Sequence, residues 1–200
     1  MMLSTSDYFP ILIKHLEQYV SLTENDREFI FSSVKPRRLL QKQFLVQQGD
    51  ISKYETYVVS GCLRTFYVDT KGVDYTLSFS VENWWANDLD SFLNEKPSKW
   101  NIQAVEPSLL LQIEKSSLDL LYQKVPLIER YFRILHQKAY IAQTNRILNE
   151  ISLTAAERYE SFLTTYPSTA QRIPLKYIAS YLGVTPVFLS QIRKHIAGKF

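Results

Sequence analysis

Four side chains near the end of the sequence have types and a spacing suited to recognising nucleic-acid bases. Val187, Ser190, Gln191 and Lys194 stand at i, i+3, i+4 and i+7, so a helix would place them in one stripe. A major groove admits a helix, and its base edges offer a methyl group on thymine and a paired donor and acceptor on adenine. Valine suits the methyl group and a glutamine amide suits adenine. The spacing therefore predicts a base-contacting stripe that favours A·T pairs.

Two short helices joined by a tight turn would present this stripe, and residues 175–196 predict them. Gly183 can take the left-handed conformation that ends a helix, Thr185 can cap the next helix, and Pro186 fits its first position. The segment resembles a helix-turn-helix of the DNA-binding kind. The alternative is a helical hairpin that only closes a core. The apolar residues expected to face inward are Ile178, Ala179, Leu182, Leu189, Ile192 and Ile196.

Positive charge is concentrated around this motif. Residues 152–200 contain six Lys or Arg and two Glu, a net charge of +4, whereas residues 1–151 contain 17 Lys or Arg and 18 acidic residues, a net charge of −1. A basic module on a near-neutral body is typical of a protein whose C-terminal part binds a polyanion. The residues expected to contact phosphates are Lys176, Thr185, Arg193 and Lys199.

One long helix is predicted over residues 127–151, which contain neither proline nor glycine. It has two apolar seams, and a helix that is apolar on two sides usually has two partners. The near-heptad spacing of the first seam favours pairing between two copies of the chain, with two polar residues fixing the register. The alternative is a core helix buried in one domain. The predicted dimer seam consists of Tyr131, Ile134, Lys138, Ile141, Asn145 and Leu148. The second seam consists of Ile128, Phe132, Leu135, Ala139 and Ala142.

The fold class predicted for the whole chain is α+β. Residues 4–34 have helical periodicity, with Thr23 as a cap and Pro36 as the end. Residues 37–114 contain short runs of β-branched and aromatic residues separated by turn signals, which indicate a jelly-roll-like β-roll. A short helix is expected around residues 88–93. We predict a β-roll sensor domain at 1–126, a dimerisation helix at 127–151 and a helix-turn-helix domain at 152–200.

This order of elements resembles the Crp/Fnr family of bacterial transcription regulators. The residues that carry the resemblance are Gly49 and Asp50, Val58 to Gly61, Leu63 and Arg64, Ile178 to Gly183, and Leu189 and Ser190. The resemblance implies a homodimer that binds double-stranded DNA at an inverted repeat. It also implies that a small-molecule effector in the roll alters the long helices and so the spacing of the two helix-turn-helix motifs.

The effector site is where the sequence departs from this family. Members that bind cyclic nucleotides have a Gly-Glu pair on a short helix, followed by an Arg and a Ser or Thr, which neutralise the phosphate and bind the ribose. Here Pro97 stands where the Arg would fall. We therefore expect that cyclic AMP does not bind. The residues predicted to line a pocket for an unknown effector are Trp84, Trp85, Asn87, Asp88, Ser98, Lys99 and Trp100; alternatively they only pack the roll.

The remaining composition argues against an enzyme. Cys62 is the only cysteine, which excludes an internal disulfide and fits a reducing compartment. His15, His136 and His195 all fall on predicted helices outside the roll, so no metal-binding cluster of cupin type remains, and neither a catalytic site nor a cofactor is predicted. No signal peptide and no membrane span is expected. We predict a cytoplasmic protein.

One further alternative is a constitutive DNA-binding protein. In it, the roll would serve only for dimerisation or for contact with RNA polymerase.

Overall fold

The computed structural model describes residues 5–167 and 169–197 and has the predicted α+β architecture. The helices are α1 (Thr5–Leu16), α2 (Glu24–Ser33), α3 (Leu89–Asn94), α4 (Lys115–Lys124), α5 (Pro126–Ser152), α6 (Ala155–Thr165), α7 (Leu175–Tyr181) and α8 (Pro186–Ala197). The strands are β1 (Val34–Leu39), β2 (Phe44–Val46), β3 (Tyr54–Ser60), β4 (Leu63–Val68), β5 (Asp74–Ser80), β6 (Trp85–Ala86), β7 (Asn101–Ala104) and β8 (Ser108–Glu114).

The lead-in helices begin and end for local reasons. Thr23 caps α2 as predicted, because its hydroxyl accepts from the amide of Asp26 while that carboxylate accepts from the amide of Thr23. The prediction that Pro36 ends this helix is wrong. The helix ends at Ser33, and Pro36 lies in β1, at the edge of its sheet, where a missing amide donor does not break the sheet.

The strands form the predicted roll from two antiparallel four-stranded sheets, with orders β1-β8-β3-β6 and β2-β7-β4-β5. The sheets enclose an aliphatic interior in which Val58, Leu63, Ile102 and Leu110 are fully buried. The turn between β3 and β4 depends on Gly61, which has φ +102°. A side chain there would also meet the backbone of Ser108, with its Cα 2.7 Å away, so only glycine fits.

The apolar side chains by which the long helix α5 packs on the roll belong to its first half. Ile128, Tyr131, Phe132 and Leu135 are buried against the roll and α4, each contributing about 2 kcal/mol. This face is the second apolar seam of the sequence, together with Tyr131 from the first. In the second half of the helix, Arg146 donates to the carbonyl of Leu77 on β5, and large apolar side chains are exposed.

The last three helices share a core with the edge of the roll. Phe79 of β5 contacts Phe162, Tyr166 and Tyr181, with ring centroids 5.6–6.2 Å apart. Cys62 and the side chains of α7 and α8 belong to the same buried cluster. The C-terminal helices therefore pack directly on the sheet that contains β4 and β5.

Candidate nucleic-acid interface and effector region

The helix-turn-helix forms as the sequence predicts. Ala179 of α7 and Leu189 of α8 are fully buried where the two helices meet. Gly183 has φ +67°, the left-handed conformation expected at the end of the first helix. The hydroxyl of Thr185 accepts from the amide of Phe188 at 3.2 Å and so caps α8. Burial of the inward side leaves the opposite side of α8 to the solvent.

Three of the four residues of the predicted stripe project from that side. Val187 is 70% exposed, and Gln191 and Lys194 are also exposed. Ser190 is half-buried, and its hydroxyl donates to the carbonyl of Pro186 at 2.9 Å, so it is less available than the others. Phe188, which the sequence analysis missed, is 46% exposed beside the stripe. The signal that could have identified it in the sequence is an apolar residue at a position on the polar side of the predicted helix.

The residues predicted to contact phosphates have different surroundings. Lys176 and Arg193 are exposed, whereas Lys199 lies outside the described residues. A further basic residue of this region, Arg172, is engaged elsewhere: its guanidinium donates to both carboxylate oxygens of Glu82 on the roll, at 2.8 and 2.9 Å. This pair fastens the helix-turn-helix region to the roll and removes one cation from the surface that could meet DNA.

The structure corrects the predicted dimer seam at Tyr131. That side chain is 1% exposed within a single chain, and its hydroxyl accepts from the indole of Trp85 at 2.7 Å, so a second copy cannot contact it. Lys138, also in the predicted seam, donates to the hydroxyl of Tyr19 at 3.3 Å. Ile134 is half-buried, and Asn145 borders a cleft.

The second half of α5 instead exposes an apolar face that the sequence analysis identified only in part. Ile141 and Leu148 of the predicted seam are both more than half exposed. Tyr140, Ile147 and Ile151 extend the same face, with Ile151 80% exposed. At about 100° per residue these five side chains lie on the side of the helix opposite Leu135. We name these five residues the exposed apolar face.

Two arginines that the sequence did not single out connect α5, the roll and the helix-turn-helix. Arg146 of α5 donates to the carbonyls of Leu77 on β5 and Tyr181 on α7, and stacks on the ring of Tyr181 at 4.2 Å. Arg158 of α6 donates to the carbonyl of Leu182 at 3.2 Å. Both guanidinium groups bind carbonyls at the C-terminal end of α7, where positive charge is favoured.

The residues predicted to form one effector pocket are separated in the structure. Trp84 and Trp85 pack against the core between the roll and the helices. Asn87 donates to the buried carboxylate of Glu55 at 2.7 Å. Burial raises the pKa of Glu55 to about 8, although this hydrogen bond acts in the opposite direction. Trp84, Trp85 and Asn87 thus help to hold the roll together, which is the alternative that the sequence left open for them.

Asp88 and Ser98 bind each other. One carboxylate oxygen of Asp88 accepts from the amides of Asp90 and Ser91 at the start of α3, at 3.1 and 3.2 Å. The other oxygen accepts from the hydroxyl of Ser98 at 2.7 Å. Two helix-terminal amides and a serine hydroxyl are donors that a phosphate would use, and here a carboxylate of the chain itself has taken them.

Only a shallow groove remains at the edge of the predicted pocket. It is bordered by Ser98, Lys99 and Trp100, together with Gly49 and Tyr67. The rings of Trp100 and Tyr67 meet edge to face at 6.4 Å. Since the aliphatic interior of the roll is closely packed, this open groove is the part of the predicted pocket that a molecule can reach without displacing core side chains.

Among the described residues, no group of three or more His, Cys, Asp or Glu side chains is placed to hold a metal ion. Within the same part of the chain, no helix is both long and apolar enough to cross a membrane.

These features define a class of protein: a β-roll domain joined by one long helix to a helix-turn-helix. Residues 36–125 match the family model of the cyclic nucleotide-binding domain. No curated protein sequence matches the chain.

Several solved structures have the same fold. The c-di-GMP responsive global regulator CLP of Xanthomonas campestris is 14% identical with a TM-score of 0.72, over 88% of this chain and 93% of that one. FixK2 of Bradyrhizobium japonicum is 14% identical with a TM-score of 0.71, over 83% and 85%. The catabolite activator protein of Thermus thermophilus is 19% identical with a TM-score of 0.57, over 92% and 87%. These neighbours are Crp/Fnr regulators, and the resemblance inferred from the sequence is confirmed in the fold.

Proposed function

We propose that the protein is a homodimeric, sequence-specific DNA-binding regulator of transcription of the Crp/Fnr type. The observation that carries this proposal is the geometry of α8. Its apolar side, with Leu189 and Ile192, is buried, while Val187, Gln191 and Lys194 project together into the solvent. A helix-turn-helix of this kind inserts its second helix into the major groove.

The exposed side chains suit an A·T-leaning half-site. Val187 can contact a thymine methyl group, and the amide of Gln191 can bind N6 and N7 of adenine. Lys176, Thr185 and Arg193 suit phosphates, which position the protein on DNA without specifying sequence. A protein that binds chromosomal DNA in a bacterium works in the cytoplasm, which is where we place this one.

The exposed apolar face of α5 supports a dimer. Five large apolar side chains in one patch on a water-soluble helix are typical of an interaction site. Pairing this face with its copy around a two-fold axis would present two α8 helices to one side of DNA. The operator should then be an inverted repeat with half-sites about 34 Å apart. RNA polymerase is a further partner that such a regulator would contact.

We further propose that this regulator does not bind cyclic AMP as an effector. The donors that would hold a cyclic phosphate are occupied by Asp88, and Pro97 stands where the family has an arginine. CLP, one of the structural neighbours, is described as c-di-GMP responsive. The packed interior of the roll favours a second candidate, a DNA-binding protein whose roll holds no ligand.

Selection from a pool of randomised DNA sites tests the proposal. Wild type should select an A·T-leaning inverted repeat. Gln191→Ala should lose about 1–3 kcal/mol of binding free energy and relax the preference at one base position. Arg193→Ala is the matched control, which should weaken all sequences alike and reduce the salt slope by about 1. Failure to enrich any motif, or an unchanged motif in Gln191→Ala with an altered one in Arg193→Ala, would contradict it.

A further inference from the structure

A cleft lies where the three parts of the molecule meet. Its walls come from the second half of α5, from β5, and from α6 and α7, and its volume is about 360 Å³. Sites for small molecules typically have volumes of roughly 300–1,000 Å³. The cleft is distinct from the roll interior and from the groove beside Trp100.

The cleft lies on the side of α5 that faces away from the exposed apolar face. Ala142, Arg146 and Asn149 line it at i, i+4 and i+7, and they continue the stripe on which Leu135 and Phe132 are buried about two and three turns earlier. A dimer formed through the exposed apolar face would therefore leave the cleft open in both copies.

The polar groups of the cleft leave hydrogen-bonding capacity unused. Arg158 donates through its terminal nitrogens to the carbonyls of Leu153 and Leu182, at 3.0 and 3.2 Å. Its Nε is buried and has no partner among the described residues. The amide of Gln143, also in the wall, makes no hydrogen bond within the same part of the chain. An unpaired buried donor costs about 1–3 kcal/mol, which an acceptor group on a ligand would recover.

The remainder of the wall determines what kind of ligand fits. Phe162, Tyr166 and Tyr181 provide aromatic surface, which favours a flat ring in stacked or edge-to-face contact. The charged residues are Arg146 and Arg158 against Glu150, an excess of one positive charge. A planar ring next to an unpaired guanidinium donor and a net positive charge is a suitable environment for an aromatic anion.

We propose that this cleft binds a small aromatic carboxylate, with the carboxylate accepting from Nε of Arg158 and the ring against Phe162 and Tyr181. Because Arg146 holds carbonyls of both β5 and α7 beside the cleft, a molecule there contacts the roll, the long helix and the helix-turn-helix at once. The regulatory step rests on the proposed DNA-binding function. Because the affinity of the cleft for the ligand depends on the orientation of the helix-turn-helix, the bound ligand changes the affinity for the operator.

Calorimetry on the full chain with three named probes tests the binding step: salicylate, 4-hydroxybenzoate and indole-3-acetate. At least one should bind with one site per chain. Ala142→Trp, which fills the cleft, should abolish that binding, and Gln143→Ala should weaken it at least threefold. The matched control is Gln137→Ala on the same helix, outside the cleft, which should bind as wild type does. Circular dichroism should show that all three variants are folded.

Three outcomes would overturn the proposal. The first is that none of the probes binds at millimolar concentration, and the second is that Ala142→Trp binds as tightly as wild type. The third is that Trp100→Ala, in the roll groove, abolishes binding while the cleft variants do not.

The regulatory step is measured separately by titrating the selected operator with and without the bound probe. A change of threefold or more in operator affinity is expected, and unchanged affinity would refute the coupling. If no operator is found but the cleft binds its probe, the proposed DNA-binding function fails while the cleft remains a ligand site.

Discussion

The N-termini of α3 and α8 differ in whether a negatively charged side chain of the protein caps them. The amides that begin α3 are bound by the carboxylate of Asp88, which also takes the hydroxyl of Ser98. The start of α8 is capped by the neutral hydroxyl of Thr185. Helix N-termini attract anions. The attraction is satisfied within the chain at α3, whereas the first turn of α8 has no acidic residue, which suits the proposed contact with a DNA phosphate.

The difference fits the structural role of α3 in the roll and the DNA-binding role proposed for α8. In the roll, Asp88, Ser98 and the neighbouring Glu55–Asn87 pair connect segments distant in sequence and leave few donors for a ligand. In the helix-turn-helix, the long-range hydrogen bonds are made at α7, whereas α8 is capped locally by Thr185 and its polar side is exposed. The predictions below test each side of this contrast, starting with the largest effect.

Disrupting the dimer face should have the largest effect on DNA binding and none on the roll. Ile141→Glu with Leu148→Glu places charges in the exposed apolar face, which opposes burial against a second copy. Because two linked half-site contacts raise affinity by about 10²–10⁴-fold, operator binding should fall at least a hundredfold. Light scattering should report a monomer.

Gln123→Glu adds one negative charge at an exposed position of α4 and is the control, for which the dimer and the operator affinity should be unchanged. A wild-type protein that is already monomeric at micromolar concentration would refute the dimer.

Removing the carboxylate of Asp88, which caps α3, should destabilise the roll without changing which DNA sequence is selected. Asp88→Ala leaves two helix amides without their acceptor and leaves the hydroxyl of Ser98 with the carbonyl of Trp100 alone, at a cost of about 2–3 kcal/mol in the free energy of unfolding. Urea denaturation measures this cost. Asp90→Ala is the control, since Asp90 is about half exposed in its ion pair with Lys96 and should lose less than about 1 kcal/mol. Equal losses of unfolding free energy in the two variants would refute the claim that the capping contacts of Asp88 stabilise the roll.

Glu55 should make the stability of the roll depend on pH. Burial raises the pKa of Glu55 from 4.5 to about 8. Its contribution to the free energy of unfolding is therefore fully present below pH 4.5 and is lost as the pH rises toward 8, because the buried carboxyl must then carry a charge. The free energy of unfolding of wild type should fall across this window by up to about 1.4 kcal/mol per pH unit. Glu55→Gln should lack this component and be the more stable protein at pH 7.5.

Urea denaturation at pH 5, 6.5 and 8 gives the comparison. Glu114→Gln, at an exposed position, should keep the wild-type profile, and a parallel fall in Glu55→Gln would refute the assignment.

Giving α8 the cap of α3 should convert an anion-accepting terminus into an anion-repelling one. Aspartate caps helices as well as threonine does, so Thr185→Asp should stay folded. Its carboxylate should weaken binding to all DNA sequences about tenfold, or about 1.4 kcal/mol. Fluorescence anisotropy at several salt concentrations measures this, with the neutral cap Thr185→Asn as control. Similar affinities for the two variants would show that α8 does not approach phosphates with its N-terminus.

The sequence by itself determined the parts of the molecule whose contacts are local. The helix-turn-helix needs only the spacing of Ala179, Gly183, Thr185 and Leu189 within one short segment, and each residue has the predicted environment. The α+β order and the long helix also followed from periodicity, because hydrophobic spacing and turn residues act over a few positions.

Only the tertiary structure decided which side of α5 remains exposed and how the effector region is arranged. Tyr131 matched the predicted dimer seam but is buried against the roll, since the roll covers the first half of the helix. Asp88 binds Ser98 ten positions away, and Arg146 binds β5 about seventy positions before it. A pattern in the sequence describes the faces of single elements, and it does not specify which distant donor meets which acceptor once those elements pack.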